Sequence, residues 1–307
     1  MLDIFVQTVP FFAIIGLGYM SGRSGFFSAE ATAYLTKFVF YFALSAMLFR
    51  FSANLSLSEI WDWSFVAAYL CGTMLIYVLA TVVAMVRRLP VAEAAVEAQV
   101  AVIGNVGFLG IPMLTLLLGP AAIGPNMMVL AVDLIVFGSL IVILITGSRD
   151  GRIQLGVLKT VALGLLANPM IVSIALGLTV SALAWDVPKP VNDFVVLLGG
   201  AATPGALFAI GASLASKSAE KLSVASWLTF CKLVLHPVAV AVFALMVFTV
   251  DAYDASVMIA LAALPVAGNV YMLAQHYRVA PQRVSAAILV STTLSIVTVS
   301  VVIALVT

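Results

Sequence analysis

Charged residues are unusually few in this sequence. Only 9% of its 307 residues are charged, whereas 64% are hydrophobic and the mean hydropathy is +1.22. Soluble domains carry about 25% charged residues, so this composition excludes an ordinary soluble protein. The formal net charge of +1 gives no sign of a nucleic-acid partner.

Cysteine and catalytic motifs are also scarce. The two cysteines, Cys71 and Cys231, lie inside apolar runs, which favours core packing over a disulfide framework or a thiolate metal site. The sequence contains neither H-E-x-x-H nor G-x-S-x-G, and its two histidines, His236 and His276, are far apart. We therefore expect no enzyme, no metal site and no cofactor.

Long apolar runs are present instead, and each can cross about 30 Å of hydrocarbon. The first run has no basic region before it, which favours a first transmembrane helix over a cleaved signal peptide. The runs predict an all-α polytopic membrane protein with ten transmembrane helices. The predicted spans are 4–21, 31–50, 63–86, 93–117, 122–146, 159–181, 191–215, 223–249, 254–277 and 282–305.

The basic residues indicate how these spans are oriented. On one side of the membrane the connections carry only Arg50 and Lys189, and Lys232 lies within the eighth span. The other lysines and arginines, out of 14 in all, fall at the odd-numbered connections: Arg23, Lys37, Arg87, Arg88, Arg149, Arg152, Lys159, Lys217, Lys221, Arg278 and Arg283. By the positive-inside rule, these connections are cytoplasmic. Both termini are then expected on the outer side of the cytoplasmic (inner) membrane.

Two spans interrupt their own helical pattern. The fourth contains IGNVGFLGIP (103–112) and the ninth contains ALPVAGNVYM (263–272), and both include the triplet Gly-Asn-Val. Because the fourth span begins inside and the ninth begins outside, the chain is predicted to consist of two inverted five-helix repeats, 1–146 and 159–307, joined by a short cytoplasmic connection at 147–158. Paired interruptions of this kind indicate a transporter's central site.

The residues of these segments explain why a break is expected. Proline removes a backbone donor and glycine weakens a helix. If the broken helices cross at mid-membrane, their half-helix N-termini present partial positive charge to one place, which suits an anion. Asn105 and Asn269 would add amide donors for a substrate. The residues expected at the breaks are Gly104, Gly107, Gly110, Pro112, Pro265 and Gly268. An alternative is that these glycines only permit close packing and the prolines only kink their helices.

Ionisable residues within the spans are further candidates. Asp133 lies near the centre of the fifth span, where it is either a proton carrier for coupled transport or a hydrogen-bonded acid that serves packing. Lys232 and His236 are four residues apart and share one helix face, so they could partner Asp133 or bind a second carboxylate. Alternatively, Lys232 snorkels towards the cytoplasmic end of its helix.

Several residues near the breaks are candidates for lining a path. Gln99 and Gln275 lie on the two interrupted spans, where they could line it or bond freed backbone groups. Phe108 and Tyr271 could accept a ring of the substrate, although both also fit ordinary packing.

Six segments in order resemble the auxin efflux carrier family, which includes bacterial members and the plant PIN carriers. The segments are LTKFVFYFALSAMLF (35–49), GNVGFLGIPML (104–114), ATPGALFAIGASLA (202–215), KLVLHPVAV (232–240), LPVAGNVYMLAQHY (264–277) and STTLS (291–295). The family usually has proline where this chain has Ser45.

The resemblance implies a sodium/proton antiporter-like or bile-acid-symporter-like fold. Helices 1, 2, 6 and 7 would form a scaffold domain, commonly a dimer interface, and helices 3–5 and 8–10 a transport domain. The fourth and ninth helices would cross, with the substrate carboxylate held by Asn105 and Asn269. Movement of one domain against the other would export or exchange small organic carboxylates, auxin-like or dicarboxylate.

A sodium-coupled organic-anion symporter of the bile-acid type is the alternative, because it shares the crossed-helix architecture. Its sodium sites usually include acidic or several clustered polar groups near the crossing. In this sequence no aspartate or glutamate stands beside Asn105 or Asn269, which disfavours the alternative.

Overall fold

The computed structural model describes residues 2–54, 62–150, 155–215 and 222–306. Within those ranges all repeating structure is helical, without strands, which confirms the all-α class. Arg152, Lys217 and Lys221, which were used to orient the spans, lie outside the described residues, as do residues 151–154 of the predicted connection.

The helices follow one another with short connections. In chain order they are α1 (Leu2–Arg23), α2 (Ala29–Ala53), α3 (Trp63–Val86), α4 (Val91–Val102), α5 (Val106–Leu118), α6 (Pro120–Ser148), α7 (Leu155–Leu166), α8 (Pro169–Ala182), α9 (Lys189–Leu214), α10 (Leu222–Val247), α11 (Ala252–Ala262), α12 (Gly268–His276) and α13 (Pro281–Val306). Among the described residues, six of them are long and apolar enough to cross a membrane: α2, α3, α6, α9, α10 and α13.

Interruptions divide three of the predicted spans. Two were expected, between α4 and α5 and between α11 and α12. The third, between α7 and α8, was not expected. There Asn168 caps α8 by accepting a hydrogen bond from the N–H of Met170 at 2.9 Å, and Pro169 begins the helix. An Asn-Pro pair inside an apolar run favours a helix boundary, so the signal was present in the sequence.

Some helices contain a π-helical turn, in which one extra residue widens the helix. One such turn, Asp133–Phe137, begins with Asp133, and another, Cys231–Leu235, contains Lys232. Wide turns of this type occur frequently at functional sites. Here they contain Asp133 and Lys232, two of the ionisable side chains that the sequence analysis singled out within the spans.

The helices pack in two groups. Helices α1, α2, α8 and α9 contact one another extensively, whereas α3, α4, α6, α10, α11 and α13 contact one another around the interrupted segments. In the first group, α1 and α9 approach closely because glycine faces backbone on both sides. A Cβ on Gly18 would lie 2.1 Å from the carbonyl oxygen of Phe208, and one on Gly211 would lie 1.9 Å from that of Ile15.

Contacts between helix ends show that the two interrupted spans run in opposite directions. At one end of the molecule, Arg283 at the start of α13 pairs with Glu93 at the start of α4, at 2.8 Å. At the other end, Tyr253 at the start of α11 donates to the carbonyl of Leu118, which ends α5, at 3.1 Å. The pair α4–α5 therefore finishes where the pair α11–α12 begins.

A buried ionic cluster joins the ends of α3, α4 and α13. The Glu97 side chain is 1% exposed and accepts from Arg87 at 2.8 Å and from Arg283 at 3.0 Å. A buried carboxylate needs such partners, because an unpaired charge there would be costly. Arg87 and Arg283, which belong to the positive-inside pattern of the sequence, thus also hold these helices together.

Gly211→Ala should destabilise the protein, because its Cβ would overlap the backbone of α1. Overpacking of this kind costs about 1–3 kcal/mol. Thermal unfolding of the purified protein in detergent should show a lower Tm. The matched control in the same helix is Gly200→Ala, where a Cβ meets nothing within 4 Å. Equal Tm values for the two variants would contradict the proposed close contact of α1 with α9.

Candidate functional site

The two interrupted spans meet backbone to backbone. Gly104 and Val266 form an isolated antiparallel bridge, in which the N–H of Asn105 donates to Pro265 O at 2.9 Å and the N–H of Ala267 donates to Ile103 O at 3.1 Å. Each interruption therefore supplies hydrogen-bond partners for backbone N–H and C=O groups that the other interruption leaves unpaired. In hydrocarbon, each such group left unpaired would cost several kcal/mol.

Side chains and a tight turn satisfy other freed groups. The Ser291 hydroxyl of α13 accepts from the N–H of Val266 at 3.2 Å. Asn105, with φ −78° and ψ 56°, is the centre of an inverse γ-turn, which the N–H of Val106 closes onto Gly104 O at 2.8 Å. The breaks are thus hydrogen-bonded structures rather than frayed helix ends.

The N-termini beyond the bridge have no side-chain cap. Neither Asn105, before α5, nor Ala267, before α12, caps its helix through a side chain. The first N–H groups of a helix lack partners within it and carry partial positive charge. Two such ends close to one bridge can accept an anion.

The two predicted substrate-binding asparagines lie at these N-termini. Asn105 is 5% exposed, and its amide has no hydrogen bond within the described part of the chain. Asn269 lies in the first turn of α12, and its Oδ1 is buried with no partner in that same part. Since a half-turn of the amide exchanges its oxygen and nitrogen, that position can equally present a donor.

The asparagines are not equivalent with respect to the bridge. The bridged residues, Gly104 and Val266, are 162 positions apart, whereas Asn105 and Asn269 are 164 apart. Asn105 therefore follows the bridged Gly104 by one position, whereas Asn269 follows the bridged Val266 by three positions. The repeated triplet marks both breaks, but its position relative to the bridged residue differs between the two halves.

The residues predicted to break the helices have different roles. Gly104 and Pro265 lie in the breaks, and Gly268 is the first residue of α12. Gly107 and Gly110 lie within the π-helical turn of α5, where a Cβ on Gly110 would be 2.8 Å from side-chain atoms of Leu261 and Leu264. These two glycines therefore permit close packing.

Pro112, also predicted at the break of the fourth span, lies eight positions beyond the bridged Gly104. Pro112 lies inside α5, beyond the break, in the first turn after the π-helical segment. Because proline has no N–H to donate, it removes one hydrogen bond from the interior of α5, next to the π-helical turn Val106–Gly110. The bridge to Pro265–Ala267 and the γ-turn at Asn105, without a local proline, interrupt this span.

A chain of buried polar side chains lies beside the bridge. The Tyr69 hydroxyl donates to Asp133 Oδ1 at 2.8 Å, and Asp133 Oδ2 is buried without a partner in the described residues. The Lys232 ammonium donates to Ala262 O and contacts His236 Nδ1 at 3.2 Å. Because an ammonium only donates, Nδ1 accepts, and Nε2–H donates to Thr73 Oγ1 at 3.0 Å.

This arrangement corrects the snorkelling interpretation of Lys232. The residue is 0% exposed, and its ammonium donates to Ala262 O at the end of α11 instead of reaching the end of its own helix. Asp133 and Lys232 lie close enough for their charges to interact, although they do not form a direct ion pair within the described ranges. Sequence reasoning missed Tyr69 and Thr73, whose four-residue spacing on α3 places both on one face.

The predicted path-lining residues separate into two sets. Gln99 is 2% exposed, and its Oε1 has no partner among the described residues, so it is a buried polar group close to the break. Gln275 is exposed near the end of α12, away from the bridge. Phe108 and Tyr271 are half-buried and pack against the core.

Comparison with known proteins agrees with the motifs. The sequence profile of the family described as "Membrane transport protein" matches residues 3–303. A protein of Rhizobium meliloti (strain 1021), described as "Putative malonate transporter", is 28% identical over 98% of this chain and 95% of its own length. The chain therefore belongs to the membrane transport protein family, the auxin efflux carrier family that its motifs indicate.

Proposed function

We propose that this membrane transport protein exports or exchanges small organic carboxylate anions across the cytoplasmic membrane. The observation that carries the proposal is the bridge between the two interrupted spans, which is followed in each span by a helix N-terminus without a side-chain cap. Each of these N-termini carries an asparagine whose amide has no partner among the described residues, which supports a ligand role. Such a site offers hydrogen-bond donors and partial positive charge without a side-chain cation in contact with the ligand. A carboxylate matches both features.

The buried charge behind the site supports an anion as well. A Cβ placed on Gly104 would lie 3.3 Å from Lys232 Nζ, so this ammonium lies immediately behind the residue preceding Asn105. In a low-dielectric interior, a positive charge at this distance favours an anion over a cation. The relative described as a malonate transporter makes a short dicarboxylate the first substrate to test.

The proposed mechanism is alternating access by an elevator-type movement. Ten spans in two inverted repeats, with termini outside, would place the bridge at mid-membrane. The packing of α1, α2, α8 and α9 as one group supports their role as a scaffold, and possible dimerisation through these helices is part of the proposal. The other helices would carry the substrate site as the transport domain.

Asp133 is the proposed carrier of a coupling proton. It is buried, its Oδ2 has no partner within the described residues, and it lies close enough to Lys232 for their charges to interact. A carboxyl group in this position can gain or lose a proton as the site changes its access. Tyr69 would position the carboxyl group by donating to its other oxygen.

A sodium-coupled organic-anion symporter is the second candidate. The sequence argument against it was that no acidic residue stands beside the asparagines, but in the folded chain Asp133 lies within electrostatic range of Lys232, whose ammonium lies behind Gly104. The presence or absence of sodium dependence separates the two candidates in any transport measurement.

Asn105→Ala and Asn269→Ala should each weaken carboxylate binding. Losing a hydrogen bond to a charged group costs about 1.5–3 kcal/mol, which corresponds to a roughly 10- to 100-fold higher Kd. Binding of malonate to the purified protein can be measured by calorimetry. Asn192→Ala, a half-buried asparagine at the start of α9, is the matched control and should bind normally. Normal affinity in both site variants would contradict the assignment.

Asp133→Asn should abolish transport driven by a pH gradient while retaining exchange of substrate for substrate. The amide keeps the shape of the side chain but does not titrate, so it cannot return a proton. Uptake into proteoliposomes, with and without a pH gradient, measures both activities. Tyr69→Phe removes the hydrogen bond but leaves the carboxyl group, so it should retain pH-driven transport at a reduced rate. An unchanged pH dependence in Asp133→Asn would reject the proton-carrier role.

A further inference from the structure

The C-terminus of α11 ends beside the bridge and requires a positive charge. The last carbonyl groups of a helix have no partner within it and carry partial negative charge. In transporters with broken helices, carbonyls of this kind, together with unwound backbone, coordinate the coupling ion. Here the position next to Ala262 O is taken by the ammonium of Lys232, which donates to it.

The surroundings of this ammonium resemble a cation site in their chemistry. Asp133 of α6 provides a nearby carboxylate, and its Oδ2 is buried without a partner in the described residues. His236, on the same helix as Lys232, contributes its ring Nδ1, which lies 3.2 Å from Lys232 Nζ. Tyr69 of α3, the remaining titratable side chain here, donates to the other oxygen of Asp133 and so keeps the carboxyl group oriented.

Gly104 provides the room that the ammonium needs. A Cβ at this position would lie 3.3 Å from Lys232 Nζ, 3.3 Å from its Cε and 3.3 Å from Leu261 O. Any side chain would therefore press on both the lysine and the end of α11. This accounts for the glycine of the first Gly-Asn-Val triplet, whereas a Cβ on Gly268 in the second triplet meets nothing within 4 Å.

We infer that the Lys232 ammonium is a built-in cation that replaces sodium at the C-terminus of α11, so the substrate site assembles without a bound metal ion. The covalent link keeps the charge in place throughout the transport cycle, and no ion has to be taken from solution. The inference deepens the proposed function because it concerns the same site, and it favours the sodium-independent candidate. Its test uses no substrate, so it can fail or succeed independently of the carboxylate assignment.

Removing the lysine should create a sodium site. Lys232→Ser would leave space next to Ala262 O and the new hydroxyl, with the Asp133 carboxylate close enough to interact electrostatically with an ion there. Oxygen ligands of this kind suit a hard cation. Lys232→Met fills nearly the same volume with an apolar chain and leaves no room for an ion. Lys189→Ser is the surface control, because the Lys189 side chain is 85% exposed.

Thermal unfolding in detergent, in sodium chloride and in choline chloride of equal ionic strength, tests the inference. The wild-type protein and Lys189→Ser should each have the same Tm in both salts. Lys232→Ser should have a lowered Tm in choline that rises with sodium concentration, because an ion that binds only the folded state stabilises it by mass action. Lys232→Met should have a lowered Tm that sodium does not restore.

Three results would overturn the inference. The first is a wild-type Tm that sodium raises, since this would show a sodium site beside the lysine. The second is a Lys232→Ser variant that is as stable as the wild type in choline or indifferent to sodium. The third is a Lys232→Ser variant that cannot be recovered folded even when purified in sodium chloride. A failure of the carboxylate-binding experiment would leave all these Tm values unchanged.

Discussion

The requirement that buried backbone groups be hydrogen-bonded governs the centre of this molecule. Water is not available in the hydrocarbon interior to bond the N–H and C=O groups that an interrupted helix exposes. The chain meets this requirement by pairing two interruptions with each other, through Asn105 N–H with Pro265 O and Ala267 N–H with Ile103 O. Neither interruption would be stable alone, so each depends on the other, although they lie in opposite halves of the sequence.

The pairing also separates charge within the site. The N-termini of α5 and α12 have no side-chain cap, while the C-terminus of α11 receives the hydrogen bond of the Lys232 ammonium. Positive helix ends thus face the proposed anion, and the negative end faces a cation supplied by the protein. Asp133 lies close enough to Lys232 for their charges to interact. The polar network and the broken helices are therefore parts of one electrostatic arrangement.

Local sequence features could predict the helices and the region of the site. Apolar runs predicted spans such as 63–86, which agrees with Trp63–Val86, and the repeated Gly-Asn-Val identified both breaks. These features were readable because each depends on neighbouring residues. The break before Pro169 was also readable but was overlooked within an otherwise apolar run.

Long-range contacts could not be predicted in the same way. The bridged residues Gly104 and Val266 are 162 positions apart, whereas the repeated asparagines are 164 positions apart. This offset depends on how two distant segments pair, and no local pattern predicts it. Equally, the position of Lys232 along its helix suggested the cytoplasmic end, but the π-helical turn Cys231–Leu235 and the space at Gly104 direct its ammonium inward.

The central claim is that the paired breaks form a carboxylate site, and a structure determined with bound malonate tests it most directly. The account predicts a carboxylate within hydrogen-bonding distance of the Asn105 and Asn269 amides, at the N-termini of α5 and α12. A malonate bound elsewhere, with both asparagines unoccupied by ligand, would contradict it.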